Sequence, residues 1–299
     1  MVDPKLYSLM KVYESGSFST AAKQLSVTQP AVSQHVRALE QELNVKIFER
    51  GKGGLIVTKQ GEKVIRCAQK MLGLYRQLEQ ELSDGRDMLD HLTVGVTHTA
   101  ESNPIAEALA KYCDENNAIS IKIVTMPIKN LYKMLKSYEI DIAILEDRIN
   151  DPALKFLPVD TDYLVLAAST NHPFAKRSMI TLNELKKERL ILRLPNSGTR
   201  SLFGAHLESN HMTIADFNVV LELDNVATIK DLVRRNFGVS ILPKSACLDE
   251  VKQKTIALLP IENLSMMREI NIAYQSDFSQ TDILRGIVDA YNETLKTYR

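Results

Sequence analysis

With 299 residues, 44% of them hydrophobic, the chain is long enough to bury the cores of two domains of ordinary size. Lysine plus arginine and aspartate plus glutamate number 37 each, so the formal net charge is zero and composition gives no bulk attraction to a polyanion; any nucleic-acid contact has to come from local pattern. Three scattered cysteines (Cys67, Cys113, Cys247) without a Cys-x-x-Cys argue against a zinc frame or disulfide scaffold, and are expected to be buried, inert thiols, a redox role for one of them staying open.

In chain order, the opening "MVDPKLYSLMK" lacks the apolar core of a signal peptide, and no apolar run approaches the ~18 residues that span a bilayer. A soluble, cytoplasmic protein with no membrane partner is expected. Asp3 as N-cap, Pro4 at the first helical position and Gly16 as a left-handed stop define a first helix with Leu6, Leu9, Met10 and Tyr13 on one face. Ser17 or Ser19 caps a second helix, whose Ala21, Ala22 and Leu25 allow close packing. Thr28 caps a third, with Pro30 in its first turn, where a missing N–H costs nothing.

In the third helix Val32, Val36, Leu39 and Leu43 form a core stripe, while Gln29, Ser33 and Arg37 recur at steps of four on the other side with Gln34 beside them. "KIFERGKGGLIVTKQG" then reads as a hairpin with a basic, glycine-rich tip. From Lys59 to about Leu89 the pattern is one long helix, with Val64, Ala68, Met71, Tyr75, Leu78, Leu82 and Leu89 near a 3.5-residue period. Either the helix packs on its own domain or the stripe pairs with another copy; the polar remainder of its circumference favours self-association.

Beyond Asp90, strands ("LTVGV", "SIKIV", "IDIAIL", "YLVLAAS", "RLILRL", "NVVLEL", "VSILP", "INIAYQ") alternate with helices at 104–115, 128–137, 181–187, 199–209, 226–236 and 281–297. This predicts an α/β fold with largely parallel sheets, in one sheet or two.

Two helices joined by a tight turn, with a hairpin behind them, describe a winged helix-turn-helix. Thr28, Gln29, Ser33, Gln34 and Arg37 carry donors and acceptors suited to base edges or phosphates, and Lys52 on the tip is placed to reach a backbone or minor groove. The plain alternative is a solvated surface helix. The run "GSFSTAAKQLSVTQPAVSQHVRALEQELNVKIFERGKGGLIVTKQGE" closely resembles the DNA-binding segment of LysR-type transcriptional regulators, through A-A-x-x-L, T-Q-P-A-V-S, and "IFER" at the family's L-F-x-R, followed by T-x-x-G.

"LTVGV", "EIDIAIL", "NHPFAK", "NSGTR" and "GVSILP" resemble landmarks of the same family's effector-binding domain, which resembles periplasmic binding proteins. The resemblance implies a winged helix-turn-helix at 1–58, a dimerising linker helix at 59–89 and an effector-binding domain at 90–299. That last domain would comprise two Rossmann-like subdomains, I at 91–161 with 268–299 and II at 162–267, and a ligand cleft between them. It further implies that Gln29, Pro30 and Ser33 face the groove and that Arg37 flanks it. Family members often carry arginine near the hairpin tip, whereas "ERGKGG" offers only Arg50 and Lys52.

For the effector, "VTHTAESNP" leads into a helix capped by Asn103, and "NSGTR" opens another; helix N-termini favour an anion. By family position Thr97, Thr99, Ser102, Ser197 and Thr199 are candidate contacts, and Asn225 a weaker one, although each is also an ordinary helix-cap residue. "VTHT" also resembles the Thr-His-Thr of the sulfur-metabolism branch, whose ligands include sulfate. Glu146 near the same cleft would repel an anion unless paired with a cation, so the expected effector is anionic or zwitterionic.

The expected partners are double-stranded DNA bearing an interrupted dyad, a small-molecule effector, a second copy or a dimer of dimers, and RNA polymerase as a further candidate. Catalysis is not expected: G-x-G-x-x-G after a strand, P-loop, G-x-S-x-G and H-E-x-x-H are all missing, and Ser8-x-x-Lys11 lacks its companion motifs. His206 and His211, five apart, do not share a helical face, so no metal or other cofactor is expected.

Overall fold

The computed structural model describes residues 3–51, 54–83, 90–102 and 104–298, with the side chains at 50, 77, 80, 81, 83 and 90 also outside the description. The chain divides into two compact units, one built from the N-terminal segment together with residues 136–139 and one from the rest of the chain.

The first unit begins with α1 (Pro4–Ser15), α2 (Phe18–Gln24) and α3 (Gln29–Glu42). Asp3 accepts the N–H of Lys5 at the start of α1, and Gly16, at φ 64°, turns the chain out of it. Ser17, rather than Ser19, caps α2. Leu9, Met10, Val12, Ala21, Ala22, Val32, Val36 and Leu39 make the core. Two expected core residues lie outside it: Tyr13 is exposed, and Leu43 is the C-cap of α3 and exposed, because the helix ends before that turn is complete.

The hairpin β1 (Phe48–Gly51) and β2 (Gly54–Val57) pairs antiparallel, with Gly51 opposite Gly54. α4 (Lys59–Ser83) follows, its first turn tied down by Thr58, which accepts the N–H of Gly61 at 2.8 Å while donating to the carbonyl of Lys46. A side chain at Gly61 would collide with the Ile47 carbonyl, so the helix approaches the hairpin root only because residue 61 is glycine. Ile65, Ala68 and Leu72 of α4 join the core, whereas Met71, Leu74, Leu78 and Leu82 are exposed. The expected stripe is therefore split: its first turns serve the unit's own core and its later apolar line faces outward. The rest of the expected 59–89 helix, including Leu89, falls outside the described residues.

The second unit contains β3 (Asp90–Val96), α5 (Ile105–Glu115), β4 (Ile119–Thr125), α6 (Ile128–Lys136), β5 (Ile142–Leu145), β6 (Leu154–Ser169), α7 (Leu182–Leu185), β7 (Leu190–Arg193) and α8 (Gly198–Glu208). It continues through β8 (Val219–Leu223), α9 (Val226–Arg234), β9 (Val239–Pro243), α10 (Leu248–Lys252), β10 (Ile256–Leu259), β11 (Met267–Gln275) and α11 (Thr281–Lys296). Among the described residues the strands run in the order β4-β3-β5-β11-β6-β9-β7-β8, with β10 also on β6.

Pairing is mixed rather than largely parallel. β3 is parallel to β4 and β5, and β7 to β8 and β9, but β6 and β11 run antiparallel to their neighbours. β6 is sixteen residues long and changes partners midway: Leu154 to Tyr163 pair with β11, and Leu164 to Ser169 with β9 and β10. Its first half, interrupted by Lys155, Asp160 and Asp162, lacks the apolar runs that announced the other strands, whereas β10, Ile256 to Leu259, is a short apolar run that the strand reading passed over.

Separate cores cover the two halves. Leu92, Val94, Ile142, Ile144, Ile270 and Ile272 meet α5 and α11 on one, and Leu164, Leu166, Leu190, Leu192, Val239 and Ile241 meet Phe203 and Leu207 of α8 on the other. Among the described residues no helix is long and apolar enough to cross a membrane. Cys247 is buried, with its thiol pushed up to about 12 by that burial, and Cys113 is half-buried and raised for the same reason. Cys67 is exposed on α4, against expectation.

Candidate functional site

α3 starts where the Thr28 hydroxyl accepts the N–H of Ala31 at 3.4 Å, satisfying one of the orphan amides that Pro30 does not remove. With Val32, Val36 and Leu39 turned inward, Thr28, Gln29, Pro30, Gln34 and Arg37 are exposed and Ser33 is half-buried. Gln29 Nε2 donates to Ser33 Oγ at 2.7 Å, a one-turn pair that leaves the amide oxygen of Gln29 open to a further donor. The Arg50 side chain and Lys52 lie outside the described residues.

Sequence reading missed Glu40. Nearly buried beside Leu39, it accepts from the backbone N–H of Ile47 (2.8 Å) and Phe48 (3.4 Å) and from Lys46 Nζ (2.8 Å), fastening the hairpin root to the back of α3. Burial alone would raise its carboxyl, but Lys46 and the two amides outweigh it and hold the group below the ordinary glutamate value. His35 meets Ser8 at 2.7 Å, so the serine of the Ser8-x-x-Lys11 pair has a structural partner.

In the second unit the C-terminal ends of β3, β4, β5, β7 and β8 converge on a cavity of about 470 Å³, the size of a small-molecule site and in the usual place on parallel strands. One wall is Thr97 to Thr99, Met126 to Ile128, Glu146 and Asp147; the other holds Arg193, Asn196 to Gly198 and Asp224; Arg268 and Met267 lie where β11 begins.

The walls are charged and cross-linked. Thr97 Oγ1 donates to Glu146 (2.8 and 2.9 Å to the two oxygens) and accepts the N–H of Ala100. Glu146 is 3.7 Å from Arg268 Nη1, so the carboxylate expected to repel an anion does have a cation beside it. Arg268 also donates to Asp162, which accepts the N–H and hydroxyl of Ser245. This cluster sits where β6 changes partners. Arg193, fully inside, donates to Thr99 Oγ1 (3.2 Å) and Asp224 (2.7 Å), with His98 Nε2 3.7 Å from the same Asp224. Tyr132, pushed up to about 12 by burial and therefore a standing donor, holds the Asp147 carbonyl at 2.7 Å and with it the loop carrying Glu146.

Of the expected effector residues, Thr97, Thr99 and Ser197 line this cavity, and Ser197 also caps α8. Three do not line it. Ser102 bonds back to the His98 carbonyl and borders a smaller pocket of about 220 Å³. Thr199 is buried, its hydroxyl without a hydrogen-bond partner among the described residues. Asn225 is exposed and occupied as the cap of α9, accepting from Thr228; its neighbour Asp224 is the residue that reaches the cavity. Asn103 lies outside the described residues. Arg193, Asp224 and Arg268 went unrecognised because an arginine at the end of a strand looks like any edge residue until the fold closes over it.

A winged helix-turn-helix carried with an α/β unit that holds a charged, ligand-sized cavity defines a ligand-responsive, DNA-binding regulator rather than an enzyme. The family profile described as "Bacterial regulatory helix-turn-helix protein, lysR family" matches residues 5–62, and "LysR substrate binding domain" matches 86–296. The chain belongs to the LysR family of transcriptional regulators. Relatives include the HTH-type transcriptional regulator CfxR of Cupriavidus necator, 28% identical over 91% of this chain and 85% of the relative. Another is CysL of Bacillus subtilis, 24% identical over 89% and 88%.

Two solved structures share the fold. CbnR complexed with its target DNA has a TM-score of 0.67 at 19% identity, covering 98% of this chain and 100% of that one. A variant of full-length OxyR from Pseudomonas aeruginosa has 0.66 at 22%, covering 96% of each. At these identities the likeness speaks to the fold alone.

Proposed function

We propose that the exposed face of α3 reads a DNA major groove through Gln29, Ser33 and Gln34, with Arg37 and the hairpin's Arg50 and Lys52 on the backbone, and that the cavity of the second unit holds the effector. The observation carrying the effector assignment is the convergence of Thr97, Thr99, Ser197 and two buried arginines on one small-molecule-sized space. Paired hydroxyls and guanidinium groups suit an anionic or zwitterionic ligand. The partner change of β6, with a separate core on either side, supports two subdomains, at 91–161 with 268–299 and at 162–267.

The outward apolar line on α4 supports self-association, as a dimer or a dimer of dimers; CbnR, a fold relative, is described in complex with its target DNA. Paired recognition helices about 34 Å apart then require an interrupted dyad in the DNA. The protein acts in the cytoplasm, with RNA polymerase as the downstream partner.

Effector binding alters DNA recognition to the extent that the ligand prefers one arrangement of the two halves. A thermal-shift screen of the purified protein against metabolites tests this, since a ligand that prefers the folded state raises the midpoint. Thr99→Val is expected to abolish that response while leaving unliganded DNA binding unchanged; a fully retained response removes Thr99 from the site.

A further inference from the structure

We propose that the effector is a zwitterion with an apolar substituent, whose carboxylate takes Arg193 in exchange for Asp224 and whose ammonium group pairs with Glu146. This rests on the cavity being the effector site and adds the chemical class of its occupant and a resident competitor.

The two arginines at the cavity are held with different firmness. The carboxylate that Arg268 grips, Asp162, is 3% exposed and also takes the N–H of Ser245 at 3.1 Å and its hydroxyl at 2.8 Å. Parting that pair strands a buried charge on each side. The Arg193 side chain is likewise 3% exposed, but its partner Asp224 is 43% exposed. Asp224 can swing back to water at small cost, so an incoming carboxylate replaces it like for like.

Arg193 is also underused. It gives Asp224 only Nη2, at 2.7 Å, and offers Nη1 to a neutral hydroxyl; its buried Nε has no hydrogen-bond partner among the described residues. A guanidinium is built for two-pronged pairing with a carboxylate, and one prong is what Asp224 supplies. The start of α8 at Ser197 and Gly198 lies on the same wall and adds the positive end of its dipole.

The facing wall has the opposite need. The Glu146 side chain is 10% exposed and shares the single hydroxyl of Thr97 between its two oxygens, while Arg268 Nη1, at 3.7 Å, is beyond hydrogen-bond range. A carboxylate has about four acceptor positions, so an ammonium group finds vacant ones there. With Asp224 displaced, Glu146 and Asp147 still offset Arg193 and Arg268 on the lining. A simple anion leaves the Glu146 wall unanswered, whereas a zwitterion answers both walls. Met126, Pro127, Ile128, Leu202 and Met267 leave an apolar remainder for the ligand's third group.

Calorimetric titration of the full-length protein tests this with three matched panels: standard amino acids with apolar side chains, the same molecules without the amine, and the same without the carboxylate. At least one amino acid is expected to bind, with affinity falling about tenfold or more when either group is removed. Glu146→Gln is expected to erase the preference for the amine, Arg193→Lys to weaken carboxylate binding, and Asp224→Asn, at an exposed position, to tighten it severalfold by removing the competitor. Acids that bind as well as their amino acids, with no response to Glu146→Gln, overturn the zwitterion and leave the effector cavity standing. Affinity unchanged or lowered in Asp224→Asn overturns the exchange. Binding by no member of any panel overturns the whole inference, while the Thr99→Val thermal-shift result decides separately whether the cavity is an effector site.

Discussion

The face of α3 and the cavity of the second unit both carry polar groups, and they prepare them for a partner in opposite ways. On α3, Gln29, Gln34 and Arg37 stand in water, supported by a stripe of Val32, Val36 and Leu39 from the same helix. In the cavity, Arg193, Arg268 and Glu146 have already left water and are paired with groups from strands far away in the chain. A solvated face reads a partner at the moment of contact and costs the fold little. A desolvated cluster invests stability in advance, and the ligand gains groups already oriented and dry.

Substitutions that strand a charge should show this contrast most strongly. Asp162→Ala leaves Arg268 buried without its main partner and is expected to cost about 3–5 kcal/mol in denaturant unfolding. A loss below about 1 kcal/mol, the scale of an exposed pair, would erase the distinction from the α3 face.

Next in size is Glu40, the buried group on the otherwise solvated side of the comparison. Glu40→Ala leaves the N–H groups of Ile47 and Phe48 without their acceptor and is expected to destabilise the first unit by about 1–3 kcal/mol. Because folding lowers this carboxyl, its contribution is fully present above the unfolded glutamate value of about 4.3 and fades as pH falls through the lower folded value. The stability gap between wild type and Glu40→Gln should narrow over that acid range, as followed by chemical denaturation at several pH values.

On the face of α3 proposed to read DNA, the expected effects move from stability to specificity. Ser33→Ala should cost ~1–3 kcal/mol at the cognate DNA and little on random DNA, with unfolding midpoints nearly unchanged. Smallest is Lys52→Ala: a uniform loss across sequences and a salt slope lowered by about 1, if one phosphate contact is removed. A sequence-selective loss in that variant would move Lys52 from the backbone to a base edge.

The same contrast explains what could be read from the chain beforehand. The first unit is written in local signals: Asp3 and Ser17 caps, Gly16, Pro30 and a stripe within one helix, each acting over a few residues. Its errors, Leu43 and Tyr13, came at helix ends and margins, where periodicity is least binding. The cavity's hydroxyls, Thr97, Thr99 and Ser197, were visible through the family resemblance of "VTHT" and "NSGTR", and of the three only Ser197 caps an α-helix. Arg193, Asp224 and Arg268 were not, since their roles exist only once β7, β8 and β11 are brought together by a sheet that β6 crosses from one half to the other. Asn225 and Asp224 show the margin: one residue along, a cap and a cavity wall are indistinguishable by sequence.

The most direct measurement compares wild type and Gln29→Ala in mobility-shift titrations on the DNA upstream of the protein's own gene and on a scrambled duplex of equal length. Wild type should prefer the upstream DNA, and Gln29→Ala should lose about 1–3 kcal/mol of that preference while binding the scrambled duplex as before. Equal binding of both duplexes by folded wild type, or an equal loss on both in the variant, would contradict the assignment of α3 as the reading element.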